Sequence, residues 1–530
     1  MAIASNTLHK NFSKQDSLFD QRLFHYRICI IALFCSLVIC TIYAQTDYAE
    51  LEWVKTFLGQ DSPTVEFGDF TIDNTGNSYH TFVDHSYDSS WKAYYNTVKY
   101  NTSGEKLWSS RFLPENDIDN RVYKIALDRY GNVYITGTAI SGLFYKTFKY
   151  DSSGNLLWIS TDSTGKFFFP TPPMNLSIDD SGNVYMAGLT GDIFKYNSKG
   201  EKIWKIPKEG RDNFSMILDK NYRYIYLSRS GEIVKFNYDG IREWEVNDTV
   251  GYYGGSIVVD GSQNIYINGL GLAKYTSDGM LEWVASSHRD YMTLDNFGNP
   301  VVFGYNFDGI SEQYKTIKFN SEGIKLWERD YKESPPGSPD MPQSICIDRF
   351  NNIYVTASVY DTDGTLNIVT IKYNSFGDEK WTMIYDDPQN QYQYPAVVKV
   401  DSVGNVYVAG VIRLDGLRFA DIIIKYRQPN YLTSITDKNN EETEYYLFTN
   451  YPNPFNASTN IQFSISKTQF ISLKIFDVLG KEVAALVNEE KLPGTYTITW
   501  NSFEQPSGIY FYRLQTPSGF TETKKLVLLK

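Results

Sequence analysis

The chain is poor in cysteine and in histidine. It holds four Cys and five His among 530 residues. Cys29, Cys35 and Cys40 lie within the first 44 residues, so Cys346 is the single cysteine of the remainder. One cysteine cannot form an internal disulfide, and the segment SICID around it is apolar. Cys346 is therefore predicted to be a small buried hydrophobic residue.

Motifs of the common catalytic and metal sites are missing as well. The sequence has no H-E-x-x-H, C-x-x-C, Walker loop or G-x-S-x-G segment. His80 and His85 flank one predicted strand and could meet in space, but no third ligand accompanies them. Tyr360–Gly364 begins like a calcium loop and lacks the acidic residue at its twelfth position. We therefore predict no catalytic residue, no metal and no cofactor.

The chain also lacks an excess of positive charge. Its net charge is −12 at pH 7, which argues against nucleic acid or an anionic membrane surface as a partner. The apolar run Ile28–Tyr43, at about 16 residues, is shorter than the roughly 20 that cross a bilayer. Basic residues precede it and Ala44 follows, so residues 1–44 are predicted to be a signal peptide. A membrane anchor is the alternative, and the bulky Ile39 disfavours a lipoprotein site at Cys40.

Aromatic residues and a repeated pattern are abundant. Tyr and Phe number 42 and 32, and both favour β-strands. The segment Ile125–Trp158 reads as two hairpins in tandem, with alternating apolar residues and the turns D-R-Y-G-N and D-S-S-G. Four antiparallel strands of this kind form one blade of a propeller.

Both halves of this unit recur along the chain. The D-x-x-G-N half occurs eight times, although the Asp219 copy has one extra residue and no Gly. Its aspartates are predicted to cap the turn rather than to bind calcium, because one carboxylate supplies too few oxygens. The K-Y-x-x-x-G-x-x-x-W half puts a tryptophan on each fourth strand, where it is predicted to pack between blades. The aspartates are Asp73, Asp128, Asp179, Asp219, Asp260, Asp295, Asp348 and Asp401. The tryptophans are Trp53, Trp108, Trp158, Trp204, Trp244, Trp283, Trp327 and Trp381.

The eighth K-Y half has no tryptophan, and Trp53 stands alone before the first Asp turn. Docking of the N-terminal strand around Trp53 onto the last blade would complete that blade and remove an exposed sheet edge. The sequence therefore predicts an all-β fold, with a closed β-propeller of eight four-stranded blades over residues 45–428. Counts of seven or nine blades are the alternatives if one degenerate copy is not a blade.

The D-x-x-G-N turns resemble those of the bacterial SBBP β-propeller repeat family, and the K-Y-x-x-x-G-x-x-x-W half is similar to that of quinoprotein-dehydrogenase propellers. The resemblance covers most of residues 51–426 and implies a propeller without implying an activity. The vicinal cysteine pair typical of the quinoproteins is absent, which disfavours quinone chemistry.

Length variation is concentrated in the second-to-third and blade-to-blade connections, on the face opposite the constant turns. Variable loops on a rigid scaffold commonly carry function, and aromatic residues there could stack on sugar rings or anchor a peptide. The alternative is that these rings cover the blade ends. The Asp-Gly pairs at Asp308 and Asp415 are predicted to be hairpin turns. The predicted ligand-binding residues are Trp91, Phe167, Phe168, Phe169, Tyr252, Tyr253, Tyr392 and Tyr394.

Residues 429–444 are polar and are predicted to be a linker. The motifs after it include NYPNPFN, SLKIFDVLGKEVAAL, PGTYTITWN, PSGIYFYRLQT and the ending KKLVLLK. In that order they resemble a type A C-terminal sorting domain of the type IX secretion system of Bacteroidota. The resemblance implies a small Ig-like β-sandwich over residues 445–530 that acts as an export signal; an ordinary accessory sandwich is the alternative. The motif residues are Pro452, Pro454, Gly480, Gly508, Lys524, Lys525 and Lys530.

Leader and sorting motifs together predict a protein exported through the periplasm to the cell surface or the medium. Its partner would be the type IX machinery, and no integral membrane segment would remain after leader cleavage. We expect a non-enzymatic binding protein for an extracellular carbohydrate or protein. The alternative is an extracellular hydrolase or lyase acting on a polysaccharide or peptide. Carboxylates or histidines converging at the channel mouth would favour this alternative, and an aromatic lining would favour binding.

Overall fold

Strands are the only regular elements in the part of the chain that the structure describes. The computed structural model describes residues 48–529 with gaps and contains strands β1–β39 there. Within those residues no helix is long and apolar enough to cross a bilayer. The gaps lie at 59–64, 86–91, 114–119, 140–141, 164–172, 190–191, 208–212, 249, 251–254, 288–290, 308–311, 332–340, 388–391, 415–417, 430–444, 448–449, 451–452, 466–467, 493, 504 and 518.

Six sheets are four-stranded antiparallel meanders, in which each strand pairs with the next one along the chain. They are β2 (Val65–Ile72), β3 (Ser78–His85), β4 (Ala93–Tyr100) and β5 (Lys106–Phe112); β6 (Arg121–Leu127), β7 (Val133–Ala139), β8 (Phe144–Tyr150) and β9 (Leu156–Ser163); β10 (Pro173–Ile178), β11 (Val184–Gly188), β12 (Ile193–Tyr196) and β13 (Lys202–Ile206); β14 (Asn213–Asp219), β15 (Tyr224–Arg229), β16 (Glu232–Asn237) and β17 (Arg242–Asn247); β18 (Ser256–Val259), β19 (Ile265–Asn268), β20 (Leu272–Tyr275) and β21 (Leu281–Ala285); β22 (Tyr291–Leu294), β23 (Pro300–Phe307), β24 (Glu312–Phe319) and β25 (Lys325–Tyr331).

The last propeller sheet has eight strands and consists of two further meanders. The first is β26 (Met341–Ile347), β27 (Ile353–Tyr360), β28 (Leu366–Tyr373) and β29 (Glu379–Tyr385). The second is β30 (Tyr392–Val400), β31 (Val406–Arg413), β32 (Phe419–Arg427) and β1 (Glu50–Phe57). A single parallel pair, Leu366 with Tyr392, links the two. The N-terminal strand β1 therefore lies antiparallel to β32, as fourth strand of the final meander.

The repeated Asp turns owe their shape to one carboxylate. Asp128 Oδ1 accepts hydrogen bonds from the backbone N–H groups of Tyr130 and Asn132, at 2.9 and 3.0 Å. Its Oδ2 accepts from Asn132 Nδ2 at 2.7 Å and from the hydroxyl of the buried Tyr134 at 3.0 Å. Gly131 completes the turn with a φ of 76°, a region that glycine enters without a Cβ clash. The D-x-x-G-N-x-Y spacing is thus one hydrogen-bonded unit.

Copies without the glycine place another residue in the same conformation. Asn351 and Gln263 take φ values of 61° and 66° at the glycine position, and Arg223 takes 64° in the turn with the extra residue. Each donates its backbone N–H to the carbonyl oxygen of the turn aspartate. The turn therefore forms without glycine, at the expense of some backbone strain.

Tryptophan joins each sheet to the next. Trp158 Nε1 donates to the carbonyl oxygen of Ser198 in the third-to-fourth turn of the following sheet, at 3.0 Å. A Cβ on Gly200 would lie 2.6 Å from the Trp158 ring, so this close approach requires glycine. The same bond runs from Trp53, Trp108, Trp204, Trp244, Trp283 and Trp327 to Thr102, Ser152, Tyr238, Ser277, Ser321 and Ser375.

Two of these junctions, both involving the final meander, differ in detail. Trp381 donates to the side-chain oxygen of Gln428 at 3.1 Å, because the last K-Y segment continues as R-Q-P-N in place of the x-x-x-G sequence of the other copies. Trp53 lies on β1, so its bond to Thr102 at 3.1 Å connects the final meander to the first. The inner strands β30 and β2 of these two meanders are also in contact.

Replacing Asp128 or Trp158 by alanine should lower stability without changing the fold. Asp128→Ala removes four acceptor bonds, and we expect a loss of about 2 kcal/mol in the free energy of unfolding. The Trp158 ring is partly exposed. We therefore expect Trp158→Ala to lower the free energy of unfolding by about 3 kcal/mol, the lower end of the range for truncation of a buried aromatic residue. Denaturant titration measures both. Asp128→Asn, which retains an Oδ1 acceptor, is the matched control and should lose less; an equal loss would contradict this account of the turn.

The C-terminal residues form two sheets around one hydrophobic core. β33 (Tyr445–Leu447), β34 (Ser458–Ile465) and β37 (Gly494–Asn501) form the first; β35 (Gln469–Phe476), β36 (Glu482–Lys491), β38 (Gly508–Gln515) and β39 (Thr521–Leu528) form the second. Phe455, which follows Pro454, is buried in this core and packs on Trp500 with ring centroids 5.6 Å apart. Described residues 49–427 thus form propeller blades, and a two-sheet domain follows.

The two described lysines of the C-terminal motif differ in exposure, and Cys346 is less buried than expected. The Lys524 side chain is 22% exposed and its Nζ lies 3.4 Å from a Glu522 carboxylate oxygen, whereas Lys525 is exposed. Cys346 on β26 is partly buried and packs against the core of the final meander, where burial raises the pKa of its thiol to about 12. Pro452 and Lys530 lie outside the described residues.

Candidate functional site

The strands of each propeller sheet are joined at one end by the Asp turns and the third-to-fourth turns, and at the other end by connections of variable length. We call the surface formed by the first set of ends the turn face and the surface formed by the second set the loop face. Of the predicted ligand-binding residues, the structure describes only Tyr392 and Tyr394, at the start of β30 on the loop face. Trp91, Phe167, Phe168, Phe169, Tyr252 and Tyr253 lie outside the described residues, as do Asp308 and Asp415. Asp361–Gly364 forms the hairpin turn between β27 and β28.

Tyr392 and Tyr394 belong to an aromatic and cationic cluster. They are two residues apart on one strand and therefore point to the same side of the sheet. Arg413 lies opposite Tyr392 in the β30–β31 register, and its guanidinium carbon is 5.2 Å from the Tyr392 ring centroid. Burial raises the pKa of the Tyr394 hydroxyl, with Tyr360, Tyr392 and Arg413 as its charged or titratable neighbours. Both tyrosines are half-buried, so each offers part of a ring to a ligand.

A second cluster stands at the same face of the first two sheets. Glu66 on β2 and His85 on β3 approach to 3.3 Å between Oε1 and Nε2, with side chains 44% and 24% exposed. The close contact with His85 holds the pKa of the Glu66 carboxyl below its usual value, against the opposing effect of burial. Arg121 adds a positive charge near Glu66 and also lies close to the hydroxyl of Tyr123. This group combines an acid, an imidazole and a guanidinium.

A third arginine is held in place nearby on the first sheet. Arg111 Nη2 lies 2.9 Å from Asp84 Oδ2, and the Asp84 side chain is buried. The Arg111 guanidinium carbon also lies 3.6 Å from the Tyr94 ring centroid. A guanidinium fixed by a buried carboxylate and an aromatic ring has little conformational freedom left to lose on binding.

These residues occupy fixed positions in the repeat. Glu66, Arg121 and Tyr394 each stand seven residues before a turn aspartate, at or beside the start of the inner strand of their sheet. His85 and Arg413 each stand twelve residues after one, at the end of the second strand. Sequence reasoning did not single out Glu66, Arg121 and Arg413 as candidate site residues. Aligning the copies and comparing these two positions would have found them.

The two histidines near the first strand do not meet. His80 and His85 are five residues apart on β3 and therefore point to opposite sides of the strand. His80 Nε2 lies 3.1 Å from Asp421 Oδ2, and both side chains are fully buried. Rings of Phe57, Phe67 and Phe82 surround His80 with centroids 5.1 to 5.4 Å away. Burial raises the pKa of the Asp421 carboxyl, and His80 opposes that rise.

This buried pair belongs to the contact between the first and final meanders, since His80 is on β3 and Asp421 on β32. Corresponding positions in the other copies hold apolar residues where His80 stands, for example Ile135, Met186 and Val408. Among the described residues, no group of three or more His, Cys, Asp or Glu side chains could hold a metal ion.

Comparison with protein families identifies two segments. Residues 116–145, which include the Asp128 turn and β7, match the beta-propeller repeat family SBBP. Residues 449–529, which include β34–β39, match the secretion system C-terminal sorting domain family. The chain therefore carries an SBBP-type β-propeller repeat and a C-terminal sorting domain. The sorting domain indicates export by the type IX secretion system to the cell surface or beyond.

Comparisons over the whole chain add little. A search of curated proteins found no match. Solved structures with a similar course of the chain include BamB from Moraxella catarrhalis, at 14% identity and a TM-score of 0.46, covering 72% of this chain and all of that one. The C-terminal WD40 domain of Sif2 has 11% identity and a TM-score of 0.47, covering 71% and 98%. PorZ of Porphyromonas gingivalis, a surface component of the type IX secretion system, has 10% identity and a TM-score of 0.36, covering 90% and 75%. Likeness at this level carries no argument about function.

Proposed function

We propose that this exported propeller protein binds an extracellular carbohydrate or protein at the loop face of its first and final meanders. The observation that carries the proposal is the half-buried pair Tyr392 and Tyr394 beside Arg413. Partly exposed rings next to a cation suit stacking on a sugar ring or anchoring a peptide. The second cluster, with Arg121 and His85, would extend the same surface.

We further propose that the blades close into a ring of eight. Support comes from β1 pairing with β32, from the Trp53–Thr102 hydrogen bond, and from the contact between the inner strands β30 and β2. Residues 45–428 would then be the propeller, 1–44 a leader, 429–444 a linker and 445–530 the sorting domain. In a closed ring the final meander and the first are neighbours, which makes the two loop-face clusters one surface.

A ligand screen with variants at the loop face tests the binding proposal. Exported full-length protein would be applied to a glycan array and to a panel of extracellular proteins, and the strongest ligand titrated by calorimetry. We expect Tyr394→Ala and Arg413→Ala each to weaken binding by more than about 1 kcal/mol, because each removes a partly exposed contact group. Phe168→Ala and Tyr253→Ala carry the same expectation.

The chain offers a matched control on the opposite face. Arg129 lies 4.9 Å from the Tyr130 ring centroid in the Asp128 turn, so this pair has the chemistry of Arg413 and Tyr392 without the location. Tyr130→Ala should leave affinity unchanged. Equal weakening by Tyr130→Ala, or unchanged affinity with large stability losses in the loop-face variants, would contradict the proposal.

A hydrolase or lyase remains the second candidate, and the Glu66–His85 pair is the observation that favours it. A carboxylate and an imidazole 3.3 Å apart can share a proton, as general acid–base catalysis requires. Incubation of the protein with each polymer of the screen decides between the two. Product release that Glu66→Gln abolishes would establish the enzyme, whereas binding without product release would exclude it for that polymer.

A further inference from the structure

A cavity of about 150 Å³ opens on the turn face between the turns that follow β6 and β10. The apolar side chains of Leu127 and Ile178 form part of its wall. Lys149, the lysine of the K-Y motif on β8, lines it from the second sheet, and Lys220 lines it from the turn between β14 and β15. The cavity therefore lies where three consecutive sheets present their turns.

Lys149 is a buried cation with spare hydrogen-bonding capacity. The residue is 7% exposed, and among the described residues its Nζ donates one hydrogen bond, to the carbonyl oxygen of Ser198 at 3.3 Å. Trp158 Nε1 donates to the same oxygen at 3.0 Å. Burial lowers the pKa of the Lys149 ammonium group, and the charge of Asp128 opposes that effect. An ammonium group has three N–H donors, so Lys149 can still donate to an anion in the cavity.

Equivalent lysines of other copies have a carboxylate partner. Lys318 Nζ lies 2.8 Å from Asp295 Oδ2, and Lys425 Nζ lies 3.1 Å from Glu52 Oε2. Both lysines also donate to the carbonyl oxygen of the next third-to-fourth turn, as Lys149 does. The described residues provide no ion pair of this kind for Lys149, and the cavity lies beside it.

The other charged groups of the wall favour an anion as well. Arg129 and Lys220 are exposed and contribute two further cations. Asp128 and Asp179 also line the cavity, but both oxygens of each accept hydrogen bonds within their own turns. Asp180 is exposed and takes no part in those turn bonds. The groups that remain for a ligand are thus three cations and one carboxylate acceptor.

We propose that this cavity binds a sugar acid of the hexuronate type. Its carboxylate would accept hydrogen bonds from Lys149, Arg129 and Lys220, in the place that a protein carboxylate takes beside the equivalent lysines. A sugar hydroxyl would donate to Asp180. A volume of about 150 Å³ is below the roughly 300–1,000 Å³ of sites for larger ligands, which suits a single sugar residue. This site is separate from the loop face and does not depend on ligand binding there.

Calorimetric titration of the exported full-length protein with D-glucuronate tests the proposal. D-Glucose lacks the carboxylate and acetate lacks the ring, so we expect each to bind about tenfold more weakly than glucuronate. Lys149→Met should weaken glucuronate binding by about tenfold, because a buried charge–carboxylate contact is lost. Arg129→Met and Lys220→Met should each weaken it by about threefold, because exposed ion pairs contribute less than buried ones.

Two lysine and arginine positions elsewhere in the repeat provide matched controls. Lys235 is the equivalent lysine on β16; it is 6% exposed, and its Nζ donates to the carbonyl oxygen of Ser277 at 3.1 Å. Arg349 directly follows a turn aspartate, as Arg129 does, and its guanidinium carbon lies 4.8 Å from the Phe350 ring centroid. Lys235→Met and Arg349→Met should bind glucuronate with wild-type affinity.

Several results would overturn the proposal. They are the absence of glucuronate binding by the intact protein, equal affinity for acetate or glucose, and an equal loss of affinity in Lys235→Met or Arg349→Met. Thermal melting verifies the folding of each variant. If Lys149→Met melts early, Lys220→Met decides the question, because its side chain is exposed and its loss should leave the fold intact. Wild-type affinity in Lys220→Met would then overturn the proposal.

Discussion

A variant lacking Leu51–Phe57 is expected to aggregate or to melt far below the intact protein. The deletion removes β1 and leaves β32 with an unpaired edge, a ready template for pairing with other chains. It also removes Trp53, whose indole N–H binds Thr102 of the first meander, and Phe57, which packs 5.4 Å from Tyr100. Truncation of one large aromatic residue costs roughly 3–5 kcal/mol, and whole domains are commonly stable by only about 5–15 kcal/mol.

Loss of Phe57 would also expose the buried His80–Asp421 pair to water on one side, since the Phe57 ring lies 5.1 Å from the His80 ring. The measurement is thermal melting with light scattering on the exported protein. Deletion of residues 46–48, just before β1, is the control and should leave the melting temperature unchanged. An unchanged melting temperature after removal of Leu51–Phe57 would contradict closure of the ring by this strand.

Truncation after Glu444 should abolish release from the cell while leaving inner-membrane export intact. The variant loses β33–β39, the segment that contains the sorting-domain match, and keeps the proposed leader and β1–β32. We expect it to accumulate in the periplasm, with an extracellular level more than about tenfold lower. Fractionation and immunoblotting against a periplasmic marker measure the distribution. Normal extracellular levels of the truncated protein would refute an export role for residues 445–530.

A transfer experiment tests sufficiency. Residues 427–530 placed behind an unrelated protein with a signal peptide should carry that protein out of the cell, because sorting information in a folded domain does not depend on the cargo. Retention of the fusion in the periplasm would contradict sufficiency of this segment for export.

The sequence by itself determined the blade, its repeat and the route of export. Alternation of apolar residues and the D-x-x-G-N turn are local, and a strand of period two with a carboxylate-capped turn forms the same hairpin in each copy. The orphan Trp53 also located the N-terminal strand on the last meander, because every other fourth strand already had its tryptophan. The sorting motifs are contiguous stretches of sequence, so the domain they specify could be recognised from order alone.

Only the tertiary structure decided which side chains meet. Glu66 and His85 come from adjacent strands of one sheet, and His80 and Asp421 come from opposite ends of the chain, 341 positions apart in sequence. Neither pairing has a local signature, because partners across strands and between sheets are set by strand register and by the packing of one sheet on the next rather than by spacing. The same holds for exposure: the Trp158 ring is partly exposed and the Lys524 side chain is partly buried, because burial depends on what the neighbouring strands cover.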